Sequence, residues 1–197
     1  MKFKPSYTSS IAEDIMAERL IRAQAVEFLA DAPMRLKSGL ISPVYVDNRK
    51  LFSHPEAWRD IVETMASRVE EYDLEFDIVA GVEAAGSMHA AALAYRLGLP
   101  AIMVRQKAKT YGNHSRIEGG DVKGMRVLLL EDHISTGLSC LDAIRALRGE
   151  GAQVTQVMSI TNYAIPETQR LFKQEGIDTY DVIALKRWYE RPRNGCD

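Results

Sequence analysis

Residues Val127 to Cys140 read VLLLEDHISTGLSC, and this stretch decides the fold. Val127, Leu128, Leu129 and Leu130 are apolar without alternation, as in a parallel strand buried on both faces. Glu131 and Asp132 follow at its carboxyl end. In open α/β sheets ligands bind beyond the carboxyl ends of strands, so two acids there face a crevice rather than a core. Ser135, Thr136, Gly137 and Ser139 then supply three hydroxyls and one permissive backbone position before Leu141, Ala143, Ile144 and Leu147 open an amphipathic helix. Such a turn can cradle a phosphate, through converging N–H groups, the positive helix end and hydroxyl donors. Carboxylates repel phosphate, so Glu131 and Asp132 are expected to face a sugar diol, directly or through a metal. A strand end and a helix cap would explain the acids and Ser135 separately. The whole order of strand, acid pair, hydroxyl and Gly turn, and helix points instead to a ribose phosphate.

Outward from that stretch, 197 residues with 46% hydrophobic content suffice for one α/β domain with a sizeable core, and one domain over 1–197 is expected. The formal net charge of -2 gives no support for nucleic-acid or membrane-surface partners. Met1 to Ser10 lacks an apolar signal core, and no run approaches the roughly 20 apolar residues of a membrane span. A cytoplasmic protein is expected. Cys140 and Cys196 are the two cysteines, without metal-ligand spacing, and Cys140 is expected to pack.

Before the central stretch, Ser9 or Ser10 can cap a helix whose stripe is Ile11, Ile15, Leu20, Ile21, Ala25, Phe28 and Leu29. Met34 to Lys50 reads as a hairpin-like pair of short strands turned at Ser38–Gly39 and Ser42–Pro43, dense in functional groups. A helix follows from His54 and Pro55 to about Tyr72. Phe76 to Ala80 is a strand ending in the small-residue loop Gly81 to Gly86, which allows close backbone approach to a ligand. Glu83 is unexpected there, since a carboxylate repels an anionic ligand unless it meets a metal or turns away. After the strand Ala101 to Val104, the aperiodic stretch Arg105 to Glu118 carries Arg105, Lys107, Lys109 and Arg116. A long polar basic loop in a small domain is functional or solvated, and these cations would suit an anionic ligand. Strands at Val154 to Thr161 and Tyr180 to Leu185 flank a helix from Pro166 to Gln174.

The acid pair and turn resemble the phosphoribosyl diphosphate (PRPP) signature of type I phosphoribosyltransferases. Three further motifs resemble the orotate branch: Leu36-Lys37-Ser38-Gly39, Ser42-Pro43 with Asp47-x-Arg49, and the basic loop ending Ile117-Glu118-Gly119. The resemblance, from about Arg35 to Tyr163, implies an α/β fold with a mostly parallel central sheet flanked by helices and a small N-terminal hood over about 1–50. It implies a Mg2+-dependent transfer from PRPP to orotate, giving orotidine 5-phosphate and diphosphate in pyrimidine synthesis. Lys109 matches the catalytic lysine, with Asp132 as its catalytic partner. PRPP would be held by Lys37, by Arg105, Gln106, Lys107, Lys109 and Tyr111 of the loop, and by Glu131, Asp132, His133, Ile134, Ser135, Thr136, Gly137, Leu138 and Ser139. Tyr45, Val46, Ser135, Asn162 and Tyr163 would lie beside orotate. Mg2+ would be held mainly by the diphosphate and water, with no direct protein ligand, and a homodimer would share its active sites through the loop. Gln106 stands where lysine is usual, Tyr111 where histidine is usual, and Thr161-Asn162-Tyr163 where many members have Asp-Arg. These departures leave open transfer to another base, or a PRPP-sensing regulator; the retained Lys109 in a full-length loop argues against the second.

Overall fold

The computed structural model describes residues 6–29, 33–35, 41–108 and 115–185, with side chains from Glu13 onward. The elements are α1 (Ser6–Arg22), β1 (Val26–Phe28), β2 (Met34–Arg35), β3 (Ile41–Ser42), β4 (Val44–Val46), a 3-10 helix (Asn48–Ser53) and α2 (Pro55–Glu71). They continue as β5 (Ile78–Val82), α3 (Ala85–Leu97), β6 (Ala101–Val104), β7 (Ile117–Glu118), β8 (Arg126–Ile134), α4 (Leu138–Gly149), β9 (Gln153–Asn162), α5 (Pro166–Gln174) and β10 (Asp178–Ala184). Six strands form one sheet in the order β10, β9, β8, β5, β6, β7, parallel throughout except at β7.

β8 is the axis of this sheet because its side chains leave in both directions into apolar layers. Leu128 and Leu130 pack with Ile61, Met65, Leu93 and Ile160 on the side of α1, α2 and α3. Val127 and Leu129 pack with Ile144, Leu147, Val157 and Phe172 on the side of α4 and α5. All four are at most 2% exposed, and each contributes about 1.5–3 kcal/mol of burial. The unalternating run therefore marks a strand with no solvent face. The chain leaves β5 towards β6 but leaves β8 towards β9, on the opposite side of the sheet. A crevice consequently opens between the carboxyl ends of β5 and β8, the topological switch point where ligands bind.

Several local expectations need correction. β8 does not stop at Leu130: Glu131, His133 and Ile134 keep their register with Ser159, Thr161 and Asn162 of β9, so the acids sit inside the strand. β5 begins at Ile78 and takes Gly81 and Val82 into the sheet, which shortens the loop before α3 to Glu83 and Ala84. The first helix starts at Ser6, so Ser9 and Ser10 lie within it rather than capping it, and it ends at Arg22. Gln24 adopts φ 55, and the chain turns into β1, so Phe28 belongs to a strand and Ala25 and Leu29 to its flanks. Met16, Leu20 and Ala23 are the buried residues around the helix end, whereas Ile15 and Ile21 are exposed. In the hood β2 pairs with β3, but β4 pairs with β1, through Val26↔Val46 and Phe28↔Val44. The strand-favouring run VYV, two β-branched residues about an aromatic one, pairs with a segment whose spacing reads as helical. Ser38 and Gly39 lie outside the described residues.

Under α2 and α3 sits a fully buried imidazole. Trp58 Nε1 donates to His89 Nδ1 at 3.0 Å, so His89 is neutral with its proton on Nε2, and Phe52 packs on the ring at 4.7 Å. Burial lowers its pKa to about 3. The unfolded imidazole takes up a proton near pH 6.5, whereas the folded one resists until about pH 3. Stability from this group is thus complete well above pH 6.5 and is lost as pH falls, by roughly 2 kcal/mol between pH 6.5 and 4.5. Urea unfolding across that range should give a flatter profile for His89→Leu than for the natural chain; parallel profiles would contradict the assignment.

Candidate active site

The carboxyl end of β8 carries the acid pair. Glu131 is 7% exposed, its Oε1 accepting from the Asp132 N–H at 3.3 Å while the Cys140 thiol lies 3.8 Å from Oε2. Cys140 is itself buried, as expected, and burial pushes its thiol well up, so it packs as a protonated residue. Burial, then the neighbouring Asp132 charge, raises the Glu131 carboxyl well above its ordinary range. Burial also raises Asp132, against the lowering influence of hydrogen bonds and of the nearby Arg49 guanidinium. Two crowded carboxyls at a partly open strand end accept hydrogen bonds from neutral hydroxyls but repel an anion.

Beyond the acids the chain makes its turn. Thr168 Oγ1 donates to the Ser135 carbonyl at 3.1 Å, and Gly137 caps α4 at φ 73. A Cβ on Gly137 would lie 2.9 Å from Thr168 Cγ2 and from Phe172 Cζ, so α5 packs directly beneath the turn. Ser135 and Thr136 are half-buried, and Leu138 and Ser139 are exposed on the first turn of α4. The hydroxyls, the left-handed glycine and the helix amino end therefore meet at one place, which suits an anion.

His133 and Ile134 are engaged within the fold. Ile134 is 1% exposed, and its carbonyl accepts from the Tyr163 N–H at 3.0 Å. His133 Nδ1 meets Thr161 Oγ1 at 2.9 Å, its ring stands edge-on to Tyr163 at 4.5 Å, and burial lowers its pKa to about 4. Asn162 and Tyr163 are likewise engaged within the fold. Asn162 donates to Asp181 at 3.0 Å and accepts from the Ala164 N–H at 2.8 Å, and the Tyr163 hydroxyl donates to the Val44 carbonyl at 2.7 Å. Asp181, raised to about 6 by burial, also accepts from Ser159 at 2.6 Å. In β4, Tyr45 is half-buried and Val46 is buried, next to the bidentate Arg49–Asp47 pair at 2.6 and 3.0 Å.

The root of the basic loop is fixed by one main-chain and one side-chain bond: the Arg105 N–H donates to the Arg116 carbonyl at 2.8 Å, and Arg116 Nε donates to the Arg105 carbonyl at 2.7 Å. Arg105 pairs with Glu118 at 2.9 Å, and Lys107 is exposed. Glu83 turns to the loop root: its carboxylate accepts from the Gln106 N–H at 3.0 Å, and its carbonyl accepts from Gln106 Nε2 at 3.1 Å. That contact accounts for an acid at a strand end where an anion would be repelled. Lys37, Lys109 and Tyr111 lie outside the described residues.

Two residues escaped the sequence reading. Asn48, fully buried in the 3-10 helix, donates from Nδ2 to the Asp132 carbonyl at 2.6 Å and to Thr161 Oγ1 at 2.7 Å. A polar residue between Asp47 and Arg49 gives no periodic signal, and its partners are 84 and 113 residues away. Thr168, under the turn, was missed for the same reason.

An acid pair and a phosphate-type turn at the switch point of a mostly parallel sheet define a phosphoribosyl-transferring class of protein. The phosphoribosyl transferase domain family matches residues 47–187. The orotate phosphoribosyltransferase of Coxiella burnetii is 44% identical over 84% of this chain and 79% of its own. The crystal structure of orotate phosphoribosyltransferase from Aeropyrum pernix superposes with a TM-score of 0.78 at 28% identity, covering 89% of this chain and 96% of that one. The Mycobacterium tuberculosis orotate phosphoribosyltransferase in complex with PRPP gives a TM-score of 0.69 at 26% identity over 89% and 97% of the two chains. The chain belongs to the phosphoribosyltransferase family and, within it, to the orotate phosphoribosyltransferases.

Proposed function

We propose that this protein transfers the 5-phosphoribosyl group from PRPP to orotate, giving orotidine 5-phosphate and diphosphate in pyrimidine biosynthesis. The observation that carries it is the juxtaposition of Glu131 and Asp132 with the turn from Ser135 to Ser139, on a fold shared with orotate phosphoribosyltransferases. In this reading the turn and the amino end of α4 hold the 5-phosphate, and the acids accept hydrogen bonds from the ribose hydroxyls. Holding both ends of the sugar supplies the positional part of catalysis. As diphosphate departs, the ribose becomes oxocarbenium-like, and carboxylates beside it stabilise that charge.

The leaving group needs cations on the other side. Lys109, Lys107 and Arg105 of the basic loop, with Gln106 and Tyr111, are assigned there, and Lys37 of the hood is assigned to PRPP. Arg105 would exchange Glu118 for diphosphate oxygens. Tyr45 and Val46 line the base position with Ser135. Asn162 and Tyr163 act there by holding the backbone, since their polar groups are engaged within the fold. Mg2+, carried by the diphosphate and water, would neutralise the leaving group as a Lewis acid. Asp132, partly open, fits such an ion as an outer carboxylate. Among the described residues no three acids, histidines or cysteines converge as a metal cage, so the fit is to an ion brought by its ligand. A homodimer sharing active sites through the loop and a cytoplasmic location complete the reading. Among the described residues no helix is long and apolar enough to cross a membrane.

The deciding assay is diphosphate release from PRPP with orotate, uracil or a purine base, with and without Mg2+. Release with orotate and Mg2+ is expected; release with another base alone would overturn the substrate. For the diol assignment, calorimetric PRPP affinity in Mg2+ buffer should fall about tenfold or more in Asp132→Asn, the scale of a charge-assisted hydrogen bond. An unchanged affinity would remove Asp132 from that role.

A further inference from the structure

We infer that Asn48 is a positioning residue for PRPP, holding the Asp132 main chain, and with it the acid pair, against the hood. The inference rests on the proposed role of Asp132. Asn48 sits in the 3-10 helix directly after β4, and its side chain reaches the carboxyl ends of two sheet strands at once. Both Nδ2 hydrogens are used: one on the carbonyl of Asp132 in β8, at 2.6 Å, the other on Thr161 Oγ1 in β9, at 2.7 Å.

The orientation of the amide follows from its partners. A backbone carbonyl can only accept, so the atom facing Asp132 must be the nitrogen; the opposite flip would set oxygen against oxygen. Thr161 Oγ1 receives the second hydrogen and faces His133 Nδ1 at 2.9 Å, so the Asp132 carbonyl and the His133 ring are tied to one centre. The Thr161 hydroxyl also lies 3.5 Å from the Asp132 carbonyl, so Asn48, at 2.6 Å, is the nearer of two side-chain donors on that oxygen. The Asn48 Oδ1 atom is buried with no hydrogen-bond partner, a cost that an apolar residue of similar size would avoid. A fully buried amide kept at that cost, with both donors spent on the acid strand and its neighbour, is accounted for by orientation of Asp132. Rotation of the Asp132–His133 peptide would swing the carboxylate out of reach of a sugar hydroxyl, where a misplacement of about 1 Å already matters.

The test separates positioning from bulk stability by reading PRPP and orotate apart. Asn48→Ala and Thr161→Val should each raise the KM and the calorimetric Kd for PRPP, on the order of tenfold for Asn48→Ala, with the KM for orotate within about twofold. Thr161→Ser, which keeps the hydroxyl, should restore natural PRPP affinity. The double variant should bind PRPP no more weakly than Asn48→Ala alone, since both act through one centre. Stability loss alone would lower the active fraction, and hence apparent kcat, with both KM values unchanged. That pattern, or additive losses, would overturn the inference, as would natural PRPP affinity in Asn48→Ala. Should Asn48→Ala not fold, the Thr161→Val and Thr161→Ser pair decides, equal PRPP affinity in the two being the contrary result. Absence of diphosphate release from the natural chain would instead remove the proposed reaction, leaving the calorimetric comparison to judge Asn48.

Discussion

Lys109→Ala is expected to turn over PRPP and orotate roughly 10²- to 10³-fold more slowly than the natural chain, the scale of losing one donor placed for a developing charge. In the proposed function Lys109 is the catalytic lysine, in a loop whose root is closed by the Arg105–Arg116 main-chain pair. The reason for so large an effect is the leaving group. Diphosphate departs with several negative charges, and at the root Arg105 and Arg116 are already paired, with Glu118 and Asp142. Single-turnover quench with enzyme in excess would read the chemical step apart from product release. A near-natural rate in both single-turnover and steady-state assays would assign the step to other cations.

Gly81→Ala is expected to destabilise the fold by about 3 kcal/mol or more, the upper range for overpacking a tight core. A Cβ on Gly81 would lie 2.3 Å from Ser87 Cα and 2.5 Å from the Gly86 carbonyl oxygen. Backbone cannot step aside as a side-chain end can. β5 would part from α3, breaking the bond from Ser87 Oγ to the Gly81 carbonyl at 3.0 Å. Gly137→Ala makes the informative comparison. Its Cβ would meet the ends of Thr168 and Phe172, which can shift, so its larger cost is the left-handed backbone, about 1–2 kcal/mol. Equilibrium urea unfolding of both should rank Gly81→Ala as the more damaging; the reverse order would mean that α3 moves more easily than α5.

The strand, acid pair and turn were legible because each is a local pattern: an unbroken apolar run, two carboxylates, then hydroxyls and a glycine before an amphipathic helix. The helix from Pro166 to Gln174 was equally plain, with proline at its start and its boundaries met. β1 was not legible, because Val26, Glu27 and Phe28 continue a helical spacing, and only their pairing with Val44 to Val46 makes them a strand. The role of Glu83 was not legible either; its partner Gln106 lies 23 residues away, in a stretch without periodicity. Asn48 is the sharpest case. Nothing in Asp47-Asn48-Arg49 distinguishes a buried amide from a solvated one, and burial is a property of the 3-10 helix meeting the ends of two strands.

The turn from Ser135 to Gly137 leans on Thr168 and Phe172 of α5, whereas Tyr163 and Asn48 fasten the hood, the first to Val44 and the second to β8 and β9. The two ends of the crevice thus have separate foundations. Changes in the hood alter what lies beside the sugar while leaving the floor under the phosphate in place, and changes in α5 do the converse. For a lineage of enzymes, this lets the two ends of the crevice change in separate steps: the phosphate floor through α5, and the face beside the sugar, where Asn48 bears on the acid pair, through the hood.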